Sequence, residues 1–198
     1  MHKRGVLVVL DGLDGAGKSL QIKLLKRKFK DIVSFSYPTK KTPKLRKYLN
    51  KKIELKSFEI FNLFLSDIIN DQKNIIKNLK SGKIVVLDRY IFSTIAYKLK
   101  GISYALAKRI VKDSNILVPD IVIILDIKPN HAYERKKKQK TPDRYESDIK
   151  YLKQVRSNFL RLARERFISK NWIILDALKN ARFINKKISG QINKKLIN

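Results

Sequence analysis

Val6-Leu7-Val8-Val9-Leu10-Asp11-Gly12-Leu13-Asp14-Gly15-Ala16-Gly17-Lys18-Ser19 is the stretch on which the rest of the chain is organised. A short apolar run, Val6 to Leu10, gives way abruptly to polar residues and glycines. Leu20-Gln21-Ile22-Lys23-Leu24-Leu25 follows, with apolar residues at helical spacing. The order is therefore strand, Gly-rich turn, helix. Gly12, Gly17, Lys18 and Ser19 match the phosphate-binding pattern Gly-x-x-x-x-Gly-Lys-Ser/Thr, with Leu13, Asp14, Gly15 and Ala16 filling the loop. Glycines let the backbone turn sharply and aim successive N–H groups at one anion. The dipole of the following helix adds to that attraction. Lys18 is placed to reach the β- and γ-phosphates and the Ser19 hydroxyl to ligate Mg²⁺. The stretch predicts a bound nucleoside triphosphate.

Composition sets the frame. The chain has 198 residues and no cysteine. That length suits one domain, 1–198, with a sizeable core. Without cysteine there is neither a disulfide nor a thiolate metal site. No apolar run approaches the roughly 20 residues that span a bilayer. Val6–Leu10 is too short for a signal-peptide core, so a cytoplasmic location is expected. The formal net charge is +29, from 46 Lys and Arg against 17 Asp and Glu. These cations are spread along the chain and gathered in no tail. They read as the surface of an enzyme with phosphate substrates, and a nucleic-acid partner is not expected from charge alone.

Further on, Ile32–Tyr37 alternates as a second strand, ended by Pro38, and a short basic helix is expected near Lys44–Asn50. Phe61, Phe64, Leu65, Ile68, Ile75, Ile76 and Leu79 recur at three- and four-residue spacing. They predict one long helix from an N-cap at Ser57 to about Gly82. Its apolar stripe is wide, as in a helix buried on two sides or at a subunit interface. Ile84–Leu87, Ile121–Leu125 and Trp172–Leu175 are apolar runs that read as strands, each followed by an aspartate. Helical patterns lie between and after them, near 93–100, 103–114, 129–140, 146–166 and 180–196. Alternating strands and helices predict an α/β three-layer fold around a five-stranded parallel sheet. Ligands bind such sheets at the carboxyl ends of the strands.

A second constellation stands at one of those ends. Asp88 can hold Mg²⁺ through water, and Arg89, with its planar fork, suits a second phosphate. With the loop sequence Gly12–Ser19 and the run Asp88-Arg89-Tyr90-Ile91-Phe92-Ser93-Thr94-Ile95-Ala96-Tyr97, the chain resembles the thymidylate kinases, P-loop nucleoside monophosphate kinases. Tyr37-Pro38-Thr39-Lys40, Pro119-Asp120-Ile121 and Arg144-Tyr145-Glu146 resemble further landmarks of that family, in family order.

The resemblance implies transfer of the ATP γ-phosphoryl to dTMP, with Mg²⁺, by a protein that is commonly a homodimer. Asp14 would accept a hydrogen bond from the sugar 3′-hydroxyl. Arg89, assisted by Lys40, would hold the acceptor phosphate, and Tyr37 would lie on the acceptor side. Tyr97 would pack beside the sugar or base, and Tyr145 would exclude a 2′-hydroxyl. A mobile lid would run from about 135 to 145, with Arg135 against the adenine and Arg144 among its catalytic cations. Gly15, where some members carry arginine, assigns the catalytic cations to that lid. Two departures stand out. Lys40 replaces an arginine, and the places of the family's base-stacking aromatic and carbonyl-binding arginine align with Leu65 and Ile69. Kinases of other base preference, and a P-loop ATPase acting on nucleic acid, are the alternatives. The acceptor is itself a phosphate, largely ionised at neutral pH because its second pKa is about 6. No general base is then required.

Overall fold

The computed structural model describes residues 4–97, 101–138 and 148–197. Five strands form one parallel sheet: β1 (Leu7–Asp11), β2 (Ile32–Ser36), β3 (Ile84–Asp88), β4 (Ile121–Asp126) and β5 (Trp172–Asp176). Their order across the sheet is β2-β3-β1-β4-β5. The three central strands are the three most continuous apolar runs. Leu7, Val8, Val9, Val85, Val86, Leu87, Val122 and Ile123 are fully buried. A strand covered on both faces needs no polar alternation. The edge strands β2 and β5 are only half-buried. Register is fixed along the whole length of contact, for example Val9 opposite Leu87 on one side and Val122 on the other.

Nine helices accompany the strands among the described residues: α1 (Lys18–Lys28), α2 (Pro43–Leu49), α3 (Ser57–Ile69), α4 (Gln72–Lys80), α5 (Ile91–Ala96), α6 (Tyr104–Asp113), α7 (Pro129–Lys137), α8 (Ile149–Arg164) and α9 (Ala181–Ile197). They flank both faces of the sheet. Trp172 packs on Phe92 of α5, with ring centroids 4.7 Å apart. Ile173, the next residue of β5, turns to the other face and lies beside Gln191 and Lys194 of α9. α1 and α9 are joined by buried amides, with Asn185 Nδ2 donating to the Gln21 side chain at 3.1 Å and Gln21 Nε2 donating to the Ala181 carbonyl at 3.1 Å.

The expected helix over 57–82 is two helices, α3 and α4, parted at Asn70-Asp71. Asp71 is buried, and its carboxylate takes the Lys41 ammonium at 3.0 Å. Gln72, at the start of α4, accepts from the Leu117 N–H at 2.8 Å. Those tertiary bonds turn the chain at two residues of modest helix propensity. Lys56, not Ser57, occupies the N-cap of α3 and makes no side-chain cap bond.

Four of the five strands end in aspartate: Asp11, Asp88, Asp126 and Asp176. Asp126 holds Arg156 of α8 in a two-pronged ion pair at 2.6 and 2.7 Å. Asp176 accepts from the Leu178 N–H at 2.9 Å. The first two build the site.

Candidate active site

β1 delivers the chain into the phosphate loop, and two of the loop glycines are fixed by space as well as by φ. A Cβ on Gly12 (φ +132°) would stand 2.5 Å from the Leu125 carbonyl oxygen. One on Gly15 (φ +81°) would stand 2.5 Å from the Ala132 carbonyl oxygen. The loop is thus seated directly against β4 and α7. Lys18 opens α1, and only 6% of its surface is exposed. Its ammonium donates to the carbonyls of Gly12 at 3.1 Å and Leu13 at 3.0 Å. Burial lowers its pKa and nearby Arg89 pushes the same way, against Asp14, Asp88 and Asp11.

Asp14 is the electrostatic centre. Its carboxylate meets Arg89 Nη2 at 2.5 Å, Lys136 Nζ at 3.8 Å and Lys18 Nζ at 4.0 Å. Burial disfavours its charged form, but Arg89, then Lys18 and Lys136, override burial and hold the carboxyl well below the usual range. Burial works against the Arg89 charge too, and Asp14 more than compensates, so the guanidinium pKa is raised.

Arg89 adopts φ +69°, a left-handed conformation rare for a side chain of this size. Strain of this kind marks functional sites. Three contacts hold it. The Arg89 N–H donates to the Leu10 carbonyl at 2.9 Å, Nη1 donates to Ser93 Oγ at 2.9 Å, and the guanidinium lies 5.2 Å from the Tyr97 ring centroid. Ser93 in turn donates to Asp11 Oδ1 at 2.7 Å. Asp11 is fully buried and also accepts the Gly12 N–H at 2.9 Å. Burial raises the Asp11 pKa, opposed by Arg89, Ser93 and Lys18. One buried carboxylate therefore ties the start of the phosphate loop to the guanidinium on the neighbouring strand.

Two cavities meet at this point. The first, of about 550 Å³, is lined by the loop residues Asp14 to Ser19, by Ser36 and Asp88, and by Arg135, Lys136, Ala177 and Lys179. The second is a narrow, mostly apolar slot formed by Tyr37, Pro38, Leu49, Phe64, Ile68, Tyr90, Thr94 and Tyr97. Asp14, Tyr37 and Arg89 line both. At the mouth of the first, Ser19 Oγ donates to Asp88 Oδ2 at 3.3 Å. This pair of hard oxygens suits Mg²⁺, which takes one or two protein oxygens and completes its octahedron with water and substrate phosphate. Among the described residues no group of three His, Cys, Asp or Glu forms a metal cage, as that mode of binding requires none.

Most of the expected residues come together here: Asp14 to Ser19, Asp88, Arg89, Tyr37, Tyr97 and Arg135 line the cavities, and Gly12 and Leu13 lie behind them with their carbonyls on Lys18. Arg135 Nη1 donates to the Ala177 carbonyl at 3.1 Å and the Gly15 carbonyl at 3.4 Å, spanning the P-loop cavity's outer wall. Three placements differ. Leu65 is buried in the core at 8% exposure, and its neighbour Phe64 lines the slot. Ile69 is 42% exposed, and Ile68 lines the slot in its stead. One residue turns a helix by about 100°, so an alignment shifted by one exchanges the two faces. Phe64 therefore brings to the slot the ring that Leu65 lacked. Lys40 is exposed and lines neither cavity. Asp67 takes the Thr39 N–H at 2.6 Å and the Thr42 hydroxyl at 2.6 Å, while Asp71 takes Lys41. These bonds fix the loop with Lys40 outward. Arg144, Tyr145 and the lid beyond 138 lie outside the described residues.

Asp11, Ser36, Ser93 and Thr94 also stand at the site, where the sequence reading gave them no role, and Lys136, one of the basic run beginning at Arg135, lies 3.8 Å from Asp14. The spacing of Ser93, four residues after Arg89 at a helix start, was the available signal for one of them.

The thymidylate kinase family model matches residues 10–188. A thymidylate kinase of Leptospira interrogans is 35% identical over 188 residues, covering 90% of this chain and 89% of the relative. That of Schizosaccharomyces pombe is 32% identical over 196 residues, covering 94% and 91%. The solved structure of thymidylate kinase from Candida albicans shares the fold, with a TM-score of 0.82 at 24% identity over 97% of this chain and 92% of that one. Sequence match, fold and the paired cavities agree, and the chain belongs to the thymidylate kinase family.

Proposed function

We propose that the triphosphate of ATP occupies the loop cavity and dTMP the apolar slot, so that donor and acceptor phosphates meet beside Asp14 and Arg89. The reaction is the ATP-dependent phosphorylation of dTMP to dTDP. The observation that carries the assignment of substrates to cavities is the sharing of Asp14, Tyr37 and Arg89 by both. An acceptor phosphate oxygen attacks the γ-phosphorus, the bond from that phosphorus to the β,γ-bridging oxygen breaks, and ADP leaves. The acceptor oxygen arrives ionised, so catalysis rests on positioning and charge neutralisation.

Arg89 holds the acceptor phosphate with a guanidinium already aimed by Ser93. Lys18, released from the loop carbonyls, follows the β- and γ-oxygens. Lys136 and Arg135 bring the lid cations to the transferring group, and Arg144 is proposed to join them. Asp14 accepts the 3′-hydroxyl of the acceptor sugar. Phe64 stacks on the base, and Tyr145 screens against a 2′-hydroxyl. Ser19 and Asp88 would hold Mg²⁺, which supplies charge neutralisation to the phosphates when bound.

The chain is further proposed to act in the cytoplasm. No helix among the described residues is long and apolar enough to cross a membrane. It is also proposed to pair as a homodimer through α3, where Phe58 is 54% exposed. The test is ADP release with ATP and a panel of ribo- and deoxynucleoside monophosphates. dTMP should be the preferred acceptor, and Lys18→Ala should abolish turnover with the fold intact. Appreciable turnover by Lys18→Ala would reject the loop assignment.

A further inference from the structure

Four of the cations dispersed along the sequence meet in space at the end of the sheet away from the active site. A cleft of about 420 Å³ opens at the amino ends of β4 and β5. Arg166 and Lys170 line it from the turn after α8, and Lys194 and Lys195 line it from the last turns of α9. Gln191 and Asn171 contribute amides. Lys170, Lys194 and Lys195 are exposed. None of the four cations makes an ion pair with a described residue. The two acids that directly adjoin cleft-lining residues, Asp120 before Ile121 and Glu165 before Arg166, are already engaged. Asp120 accepts Arg4 at 3.0 Å on both oxygens, and Glu165 is paired with Lys108 and, at 2.8 Å, with Arg161.

The cleft is the end of a longer basic surface. α9 has no acidic residue, and its exposed positions include Arg182, Lys186 and Lys187. α1, packed beside it, has no acid either and exposes Lys23, Lys26 and Arg27. A helix of 17 residues is about 25 Å long. A nucleic-acid strand repeats its phosphate about every 3.4 Å, so α9 alone matches roughly seven phosphates.

We infer that this surface, from the cleft at the amino ends of β4 and β5 along α9, binds the sugar-phosphate backbone of a nucleic acid without reading its sequence. An elongated row of uncompensated cations is complementary to a chain of phosphates, and a single small anion would engage only part of it. Phe183 and Ile197 also project from α9, one at each end, but the cleft cations line a concavity that a flat lipid surface would not enter and a phosphate chain can follow. The amino ends of the strands lie a strand length, about 16 Å, from the carboxyl ends. The cleft is therefore separate from the nucleotide cavity, which the basic surface approaches only where Ala181 and Ile184, in the first turn of α9, line that cavity.

The test is fluorescence anisotropy of fluorescein-labelled 20-nucleotide DNA, single-stranded and duplex, and of the corresponding RNA, titrated with the full chain from 50 to 300 mM salt. Two variants carry the same change of charge: K170E/K194E/K195E in the cleft, and K73E/K77E/K80E on α4 as the control. Binding should weaken linearly in log affinity against log salt. The cleft variant should lose about tenfold or more in affinity at 100 mM salt, and its salt slope should fall by roughly 2 to 3, at about 0.9 per phosphate contact. The control should stay within about twofold, and both should retain dTMP turnover, which reports an intact fold. K170Q/K194Q/K195Q should lose affinity in the same direction by a smaller factor. Equal losses in the cleft and control variants would overturn the inference, as diffuse charge would then suffice. So would displacement of the oligonucleotide by saturating ATP and dTMP, which would place it in the active site. Sedimentation with phosphatidylserine vesicles without any oligonucleotide binding would overturn it in favour of a membrane.

Discussion

Gly15→Ala is the sharpest perturbation the site allows, because its effect follows from one distance and one angle. The new methyl carbon would stand 2.5 Å from the Ala132 carbonyl oxygen, where ordinary contact begins at 3.4 Å. The opposing atom is backbone, so α7 must retreat by about 1 Å. α7 carries Arg135, whose guanidinium reaches the Gly15 and Ala177 carbonyls, and Lys136, 3.8 Å from Asp14. A displacement of about 1 Å at reacting groups lowers rates on the order of a hundredfold. Alanine at φ +81° adds about 1–2 kcal/mol of backbone strain. For a chain of this size that lowers Tm by roughly 2–8 °C. Gly17→Ala is the control for melting. Its φ is +94° with nothing within 4 Å of the added carbon, so it bears backbone strain alone. The assays are coupled ADP release under saturating dTMP and a thermal melt of both variants. Turnover of Gly15→Ala within about threefold of the parent would refute the reasoning. A Gly15→Ala melt no lower than that of Gly17→Ala would show that the contact with α7 carries no strain.

Other outcomes follow from the same geometry. Arg89→Ala should raise the KM for dTMP and lower kcat. Ser93→Ala should do so more mildly, by roughly ten- to a hundredfold in kcat/KM, since it removes one charged hydrogen bond worth about 1.5–3 kcal/mol. If either changes only the KM for ATP, the acceptor role of Arg89 is wrong. Phe64→Ala should raise the KM for dTMP about 5- to 150-fold, from about 1–3 kcal/mol of lost stacking; the same change in Leu65 should act on Tm and leave that KM nearly unmoved. Asp14 has a folded pKa below its unfolded value of about 3.9. Its charge therefore contributes stability above about pH 4 that is lost as pH falls. The Tm difference between the parent and Asp14→Asn should shift against the parent below pH 4, and a difference constant from pH 6 to 2.5 would contradict it.

The sheet was readable in the sequence because its determinants are local. Ile84–Asp88 and Ile121–Asp126 are apolar on both faces and stop at a polar residue, whatever surrounds them. The phosphate loop was readable for the same reason. The helix break at Asn70-Asp71 was not, because it depends on Lys41, thirty residues away, and on Leu117, forty-five residues on from Gln72. The exchange of Leu65 for Phe64 reflects a stripe that is apolar on nearly every side, so periodicity alone does not choose which residue faces the slot. Asp11 ends a strand as three other aspartates do, and nothing in its local sequence sets it apart. Its role appears only when β3 brings Ser93 and Arg89 beside it. Lys136 stands in the basic run Arg135-Lys136-Lys137-Lys138, and only the seating of α7 on Gly15 singles it out. The basic surface was hidden in another way: α1 and α9 stand at opposite ends of the chain, and folding lays them side by side.

Trp172 is the only tryptophan in the chain. It meets Phe92 edge-on at 66°, and Phe92 is three residues from Arg89 on the segment that aims the guanidinium. The protein thus contains an intrinsic optical probe, set on an edge strand and coupled through one ring contact to the segment proposed to receive the acceptor phosphate. Its emission reports on that segment while the tyrosines of the slot, Tyr37, Tyr90 and Tyr97, stay spectrally separate. If the acceptor binds at Arg89 as proposed, its binding should be visible in the unlabelled wild-type chain, and the absence of cysteine leaves any position open to a single engineered thiol as a second, independent label.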